Sequence, residues 1–169
     1  MNTSQIFALA VFLSICLGAG GLGSVFTASA VKTWFVTLRK PSWNPPNWLF
    51  APVWTTLYIF MAIGAWLVWR DGQFFGLPGL LFAVQLVLNL AWSWLFFNMK
   101  RPDYAFVEIV FLWASIVGTM VLFWQVNSVA GWLYVPYILW VTFASMLNLA
   151  IWRLNPHRQE VGTGGHQSH

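Results

Sequence analysis

Five stretches of this chain are long and apolar enough to leave very little choice of fold. They run roughly Ile6–Val25, Trp48–Trp69, Pro78–Asn98, Tyr104–Gln125 and Val129–Trp152. A helix needs about 20 predominantly apolar residues to cross the hydrocarbon core of a bilayer. Backbone groups there must be satisfied within the segment or in a closed barrel, and these runs lack the alternation of barrel strands. The pattern therefore predicts an all-α membrane protein, a five-transmembrane-helix bundle over residues 1–154 with a long proline-rich loop between helices 1 and 2. Composition agrees, since 59% of the residues are hydrophobic and only 7% charged, against roughly 25% charged in a soluble domain. The connectors after the second helix are only a few residues long, so successive helices are expected to be antiparallel neighbours.

The first run invites comparison with a secretory leader, because Ala28-Ser29-Ala30 resembles a small-residue cleavage site. No Lys or Arg precedes it, however, and Ala10, Ser14 and Gly18 recur at helical spacing, a ridge that lets helices approach closely. We read it as a retained helix. The basic residues mark the ends of apolar runs rather than one face, so no nucleic-acid partner is expected. Lys32, Arg39, Lys40, Lys100, Arg101, Arg153 and Arg158 fall on one side of a five-span topology and Arg70 on the other. In an inner or plasma membrane that bias places the N-terminus outside and the C-terminus in the cytoplasm. The polar tail, residues 155–169, cannot bury an apolar face and is expected to be disordered. Its His157, His166 and His169 are the only histidines, and Cys16 the only cysteine. No thiolate metal cluster, intrachain disulfide or bis-histidine haem within the bilayer can be built from that set, and no metal site is expected.

The stretch Lys40-Pro41-Ser42-Trp43-Asn44-Pro45-Pro46-Asn47-Trp48 can continue neither flanking helix, because proline lacks a backbone donor and fixes φ. Its tryptophans suit the lipid–water boundary, and the segment reads as a stiff aromatic lid over one mouth of the bundle. Three stripes of polar and aromatic residues point inward from the helices. Gln85, Asn89 and Ser93 share a face of the third helix; Tyr137, Trp140, Ala144 and Asn148 share one of the fifth, just after Pro136; Trp54 and Tyr58 follow Pro52 on the second. Such stripes either cross-link neighbouring helices or line a pocket for a flat apolar ligand. Glu108 is the one carboxylate inside an apolar run and is a functional candidate for that reason. No histidine or lysine lies at membrane depth to activate a serine, and no phosphate-binding loop is present.

Trp43-Asn44-Pro45-Pro46 before the second helix, Asn89 with Trp92 in the third, and Val135-Pro136-Tyr137-Ile138-Leu139-Trp140 in the fifth resemble the translocator protein family, the TspO/peripheral-type benzodiazepine receptor group of tryptophan-rich sensory proteins. The resemblance runs from the first helix to Arg153. It implies a bundle, often a homodimer, that binds porphyrins and sterol-like apolar ligands in a cavity closed by the first connector. The ligand-binding set it implies, together with the stripes, is Trp34, Phe35, Trp43, Pro45, Pro46, Trp54, Tyr58, Gln85, Asn89, Trp92, Tyr137, Trp140 and Ala144. Leu149 stands where animal members carry the tyrosine of a proposed cholesterol motif, so sterol binding through that motif is not expected. The expected function is a membrane receptor or carrier for tetrapyrroles, with protoporphyrin or haem as ligand and no obligatory cofactor. The alternatives are light-dependent porphyrin breakdown, with Trp54 and Trp140 as catalytic indoles, and transport of porphyrin or sterol-like molecules across the bilayer.

Overall fold

The computed structural model describes residues 2–156. Helix α1 (Thr3–Lys32) is followed by a connector holding two short 3-10 turns, Phe35–Thr37 and Asn47–Leu49. Then come α2 (Phe50–Arg70), α3 (Leu77–Ser93), a π turn that prolongs α3 over Trp94–Asn98, α4 (Pro102–Val126) and α5 (Ser128–Leu154). The described residues contain no strand, and five helices are long and apolar enough to cross a membrane. The protein is thus an integral, multi-pass, all-helical membrane protein. Helix α1 extends beyond the expected Val25 to Lys32, because Phe26–Lys32 contains neither glycine nor proline to stop it. Ala28-Ser29-Ala30 is accordingly helical.

Three of the helices start where a local device supplies the first turn. Asn2 and Gln5 form a reciprocal capping box on α1, the Asn2 side chain accepting from the Gln5 amide at 2.9 Å. Pro102 opens α4 at a position where its missing N–H is not needed. A single residue, Asn127, separates α4 from α5, and its side-chain oxygen accepts from the Val129 and Ala130 amides at 3.0 and 3.3 Å. In the bundle α4 lies between α3 and α5, α1 packs on α2 and α3, and α2 packs on α5.

At the α1–α2 crossing, a Cβ added to Gly20 would stand 2.7 Å from the Tyr58 ring. That ring is pinned by a hydrogen bond described below and cannot swing away. Gly20→Val is therefore expected to destabilise the bundle by about 1–3 kcal/mol, as overpacking does. Unfolding in detergent measures it, and a loss below about 0.5 kcal/mol would show that α1 is free to shift.

Two loops meet at the other end of the molecule. The Asn127 amide donates to Asp71 at 2.8 Å, and Arg70 pairs with the same carboxylate at 3.0 Å. These bonds hold the Asp71 carboxyl below its ordinary range, the Asn127 bond being the larger cause. A carboxyl depressed on folding contributes stability that is complete above its unfolded value, about 3.9. The contribution is lost as pH falls through the lower folded value. Asp71→Asn should remove this small acid-sensitive component; the slope of stability against pH below about 4 reads it.

The polar tail from His157 onward, with His166 and His169, lies outside the described residues. Asn155, where the tail was expected to begin, is tied to the connector. It accepts from the Arg39 amide at 3.0 Å and donates to the Arg39 carbonyl at 2.9 Å.

Candidate functional site

The inward amide stripes meet in the centre of the bundle and bond to one another. Tyr58 on α2 donates to Asn89 on α3 at 2.7 Å, and Asn89 donates to the Tyr137 hydroxyl on α5 at 3.0 Å. Tyr137 in turn donates to Gln85 at 2.8 Å, and the Gln85 amide reaches the Met61 sulfur at 3.6 Å. Gln85 and Asn89 are 0% and 2% exposed. In a low-dielectric interior such a chain is strong only when every member is satisfied, and here each is. These groups therefore lock α2, α3 and α5 together. Trp54 covers the network, its ring 5.9 Å from Tyr58 and 6.3 Å from Tyr137.

The aromatic chamber lies one layer nearer the connector. Phe35 from the connector, Phe50 of α2, Trp92, Phe96 and Phe97 of α3 with its π turn, and Trp140, Phe143 and Ala144 of α5 wall it. Phe96 and Phe97 would point about 100° apart on a regular helix. They are instead both buried, with centroids 4.8 Å apart, at the π turn, a bulge type frequent at functional sites. Trp92 stacks on Phe96 at 5.4 Å and donates to Asn148 at 3.1 Å, while Asn148 donates to the Pro102 carbonyl at 2.7 Å. The rings close the chamber to about 20 Å³. The roomy hollow anticipated from the sequence is thus shut, with Phe35 only 3% exposed as its plug. Lys40 holds the plug, its ammonium donating to the Phe35 carbonyl at 2.7 Å and lying 4.7 Å from the ring centre.

A larger cavity, about 620 Å³, lies between α2 and α5. Trp48, Pro52, Thr56 and Phe60 form one wall, Pro136, Leu139, Trp140 and Phe143 the other. Trp140 and Phe143 are shared with the chamber. The Trp140 indole N–H is shielded from solvent yet has no partner.

Of the residues singled out by sequence, Phe35, Trp92, Trp140 and Ala144 line the chamber, whereas Tyr58, Gln85, Asn89 and Tyr137 form the network beside it. Trp54 lines neither cavity. Trp34 packs edge-on to Phe96 at 5.7 Å, and exposed Trp43 does so to Phe143. Pro45 is half-buried, accepting from the Asn44 amide at 2.9 Å, and Pro46 is exposed where it leads into the turn before α2. Phe50, Phe96, Phe97 and Phe143 were not singled out; a phenylalanine in an apolar run carries no mark distinguishing a cavity wall from a lipid-facing face. Both Glu108 oxygens are enclosed without a donor. Lys32, Arg39, Lys40, Lys100, Arg101 and Arg153 gather at the chamber end of the bundle.

A family model described as TspO/MBR family matches residues 11–153. The chain belongs to the TspO/MBR family. Its relatives include the tryptophan-rich protein TspO of Chlorobaculum tepidum, 47% identical over 156 residues that cover 90% of this chain and 98% of that protein. Protein CrtK of Rhodobacter capsulatus is 41% identical over 155 residues, 90% of this chain and 95% of CrtK. The translocator protein of Homo sapiens is 38% identical over 138 residues, 79% of this chain and 82% of its own length. The matched region of the TspO/MBR protein takes in the central network, the chamber, the groove and the connector.

Proposed function

We propose that this TspO/MBR protein is a membrane receptor or carrier for flat, apolar, acid-bearing ligands of the tetrapyrrole class, protoporphyrin among them. One observation carries the reading. The membrane-embedded amides are bonded within the bundle, but the Trp140 N–H on the wall common to chamber and groove is not. A buried donor without an acceptor is costly unless a guest supplies one. The setting supports the choice of guest. Indole and phenyl faces on the chamber walls suit a macrocycle. Lys32, Arg39, Lys100 and Arg153, which make no ion pair among the described residues, stand at the same end for peripheral carboxylates.

Titration of the reconstituted protein with protoporphyrin, followed by quenching of tryptophan emission, tests the proposal. Trp140→Phe keeps the ring face and removes the donor. It should weaken binding about 3- to 10-fold, the worth of one hydrogen bond, with the fold unchanged. Affinity unchanged from the unsubstituted protein in both Trp140→Phe and Trp140→Ala would remove Trp140 from the site. No histidine is present in the spans to ligate iron, so free-base protoporphyrin and haem should bind within about 3-fold of each other. A strong preference for haem would overturn that arrangement.

Proton-linked transport is a second reading, favoured by Glu108 with both oxygens enclosed and unpartnered inside a span. It requires Glu108→Gln to abolish vectorial uptake into proteoliposomes while leaving binding intact.

A further inference from the structure

The chamber has two approaches, and they differ in what must break to open them. From the water at the basic end, a guest must lift the connector. That parts both bonds between Arg39 and Asn155, and withdraws Phe35 from Phe96 and Phe97. From the bilayer, a guest in the groove between α2 and α5 meets Trp140 and Phe143, the two residues that line both the groove and the chamber. Phe50 touches Trp140 edge-on at 5.9 Å, and Trp140 lies 5.4 Å from Phe143. The Trp140 N–H has no partner to leave. The backbone at the groove is also weakened, because Pro136 inside α5 cannot donate to the Trp132 carbonyl one turn earlier. Trp140 follows that missing bond by one turn.

Resting on the ligand-binding reading above, we propose that the groove between α2 and α5 is a lateral port through which an apolar ligand dissolved in the bilayer reaches the chamber. Trp140 and Phe143 are its swinging wall. The occupant is the flat ligand in transit. The groove is lined by apolar side chains with Thr56 alone hydroxylated, and that hydroxyl donates to the Pro52 carbonyl. It runs from exposed Trp48 at the basic end to Phe60 deeper in the span, so the ring can enter from lipid while its carboxylates stay at the boundary. The shared wall sets the groove directly beside the chamber, and at about 620 Å³ it is already open where the chamber is closed.

The test loads protoporphyrin into the lipid of vesicles and follows its own emission as it enters the full-length reconstituted protein. Thr56→Trp and, from the opposite wall, Leu139→Trp fill the groove; Asn155→Ala removes the two bonds that tie the connector to the end of α5. A port slows traffic in both directions. Both groove variants should therefore reduce association and dissociation together, about 10-fold or more, with equilibrium affinity within about 3-fold. Asn155→Ala should leave both rates within about 2-fold. If Asn155→Ala accelerates entry while the groove variants leave it unchanged, the route runs under the connector and the port is refuted. Saturable binding in the unsubstituted protein with unaltered rates in all three variants likewise refutes the port but spares the binding reading. Absence of saturable binding in the unsubstituted protein refutes both.

Discussion

Asn89→Leu is expected to cost this protein about 2–4 kcal/mol, the sum of one stranded hydroxyl and the two bonds removed. Asn89 is the middle of the central chain, accepting from Tyr58 and donating to Tyr137. Leucine conserves volume approximately but leaves the Tyr58 hydroxyl with no acceptor. Tyr137 keeps its bond to Gln85 and is less affected. The assignment has a sharper form as a cycle. Tyr58→Phe in the Asn89→Leu background should cost less than Tyr58→Phe alone, because the stranded group is then absent. Unfolding in mixed detergent, read by intrinsic fluorescence, gives all four stabilities. Strict additivity would mean that the two side chains do not depend on each other.

Trp92→Ala should be more damaging, about 3–5 kcal/mol, the usual cost of truncating a buried tryptophan. The ring stacks on Phe96 and its N–H is the donor for Asn148, which in turn holds the start of α4 through the Pro102 carbonyl. Trp92→Phe restores a ring but not the donor, and should recover part of the loss, leaving about 1–3 kcal/mol for the unpaired Asn148 oxygen. Thermal unfolding of the three proteins should rank wild type, Trp92→Phe and Trp92→Ala in that order. Equal melting of the two variants would assign the whole effect to the indole N–H and none to packing.

The five spans were legible because lipid forbids unsatisfied backbone, so each apolar run of sufficient length had to be one helix. Asn89 and Tyr137 were also legible as inward residues from their spacing along α3 and α5. What they face was not, since an amide that binds a guest and one that binds a tyrosine have the same pattern. The closed chamber depends on the π turn at Trp94–Asn98, and nothing in Trp-Leu-Phe-Phe-Asn distinguishes that turn from an ordinary one. The end of α1 was misplaced because a helix stays regular past the apolar run when no breaker intervenes. Asn155, followed by Pro156, reads as a helix stop, and only its distance partner Arg39 reveals it as the clasp of the connector.

The joint between the last two spans has a further consequence. With Asn127 as the only residue outside either helix, and its side chain occupied by the first turn of α5 and by Asp71, the pair has no slack to separate. The two segments should consequently enter the bilayer during synthesis as one preformed hairpin. The seventeen-residue joint at residues 33–49, by contrast, is long enough to leave α1 free to insert on its own and dock afterwards.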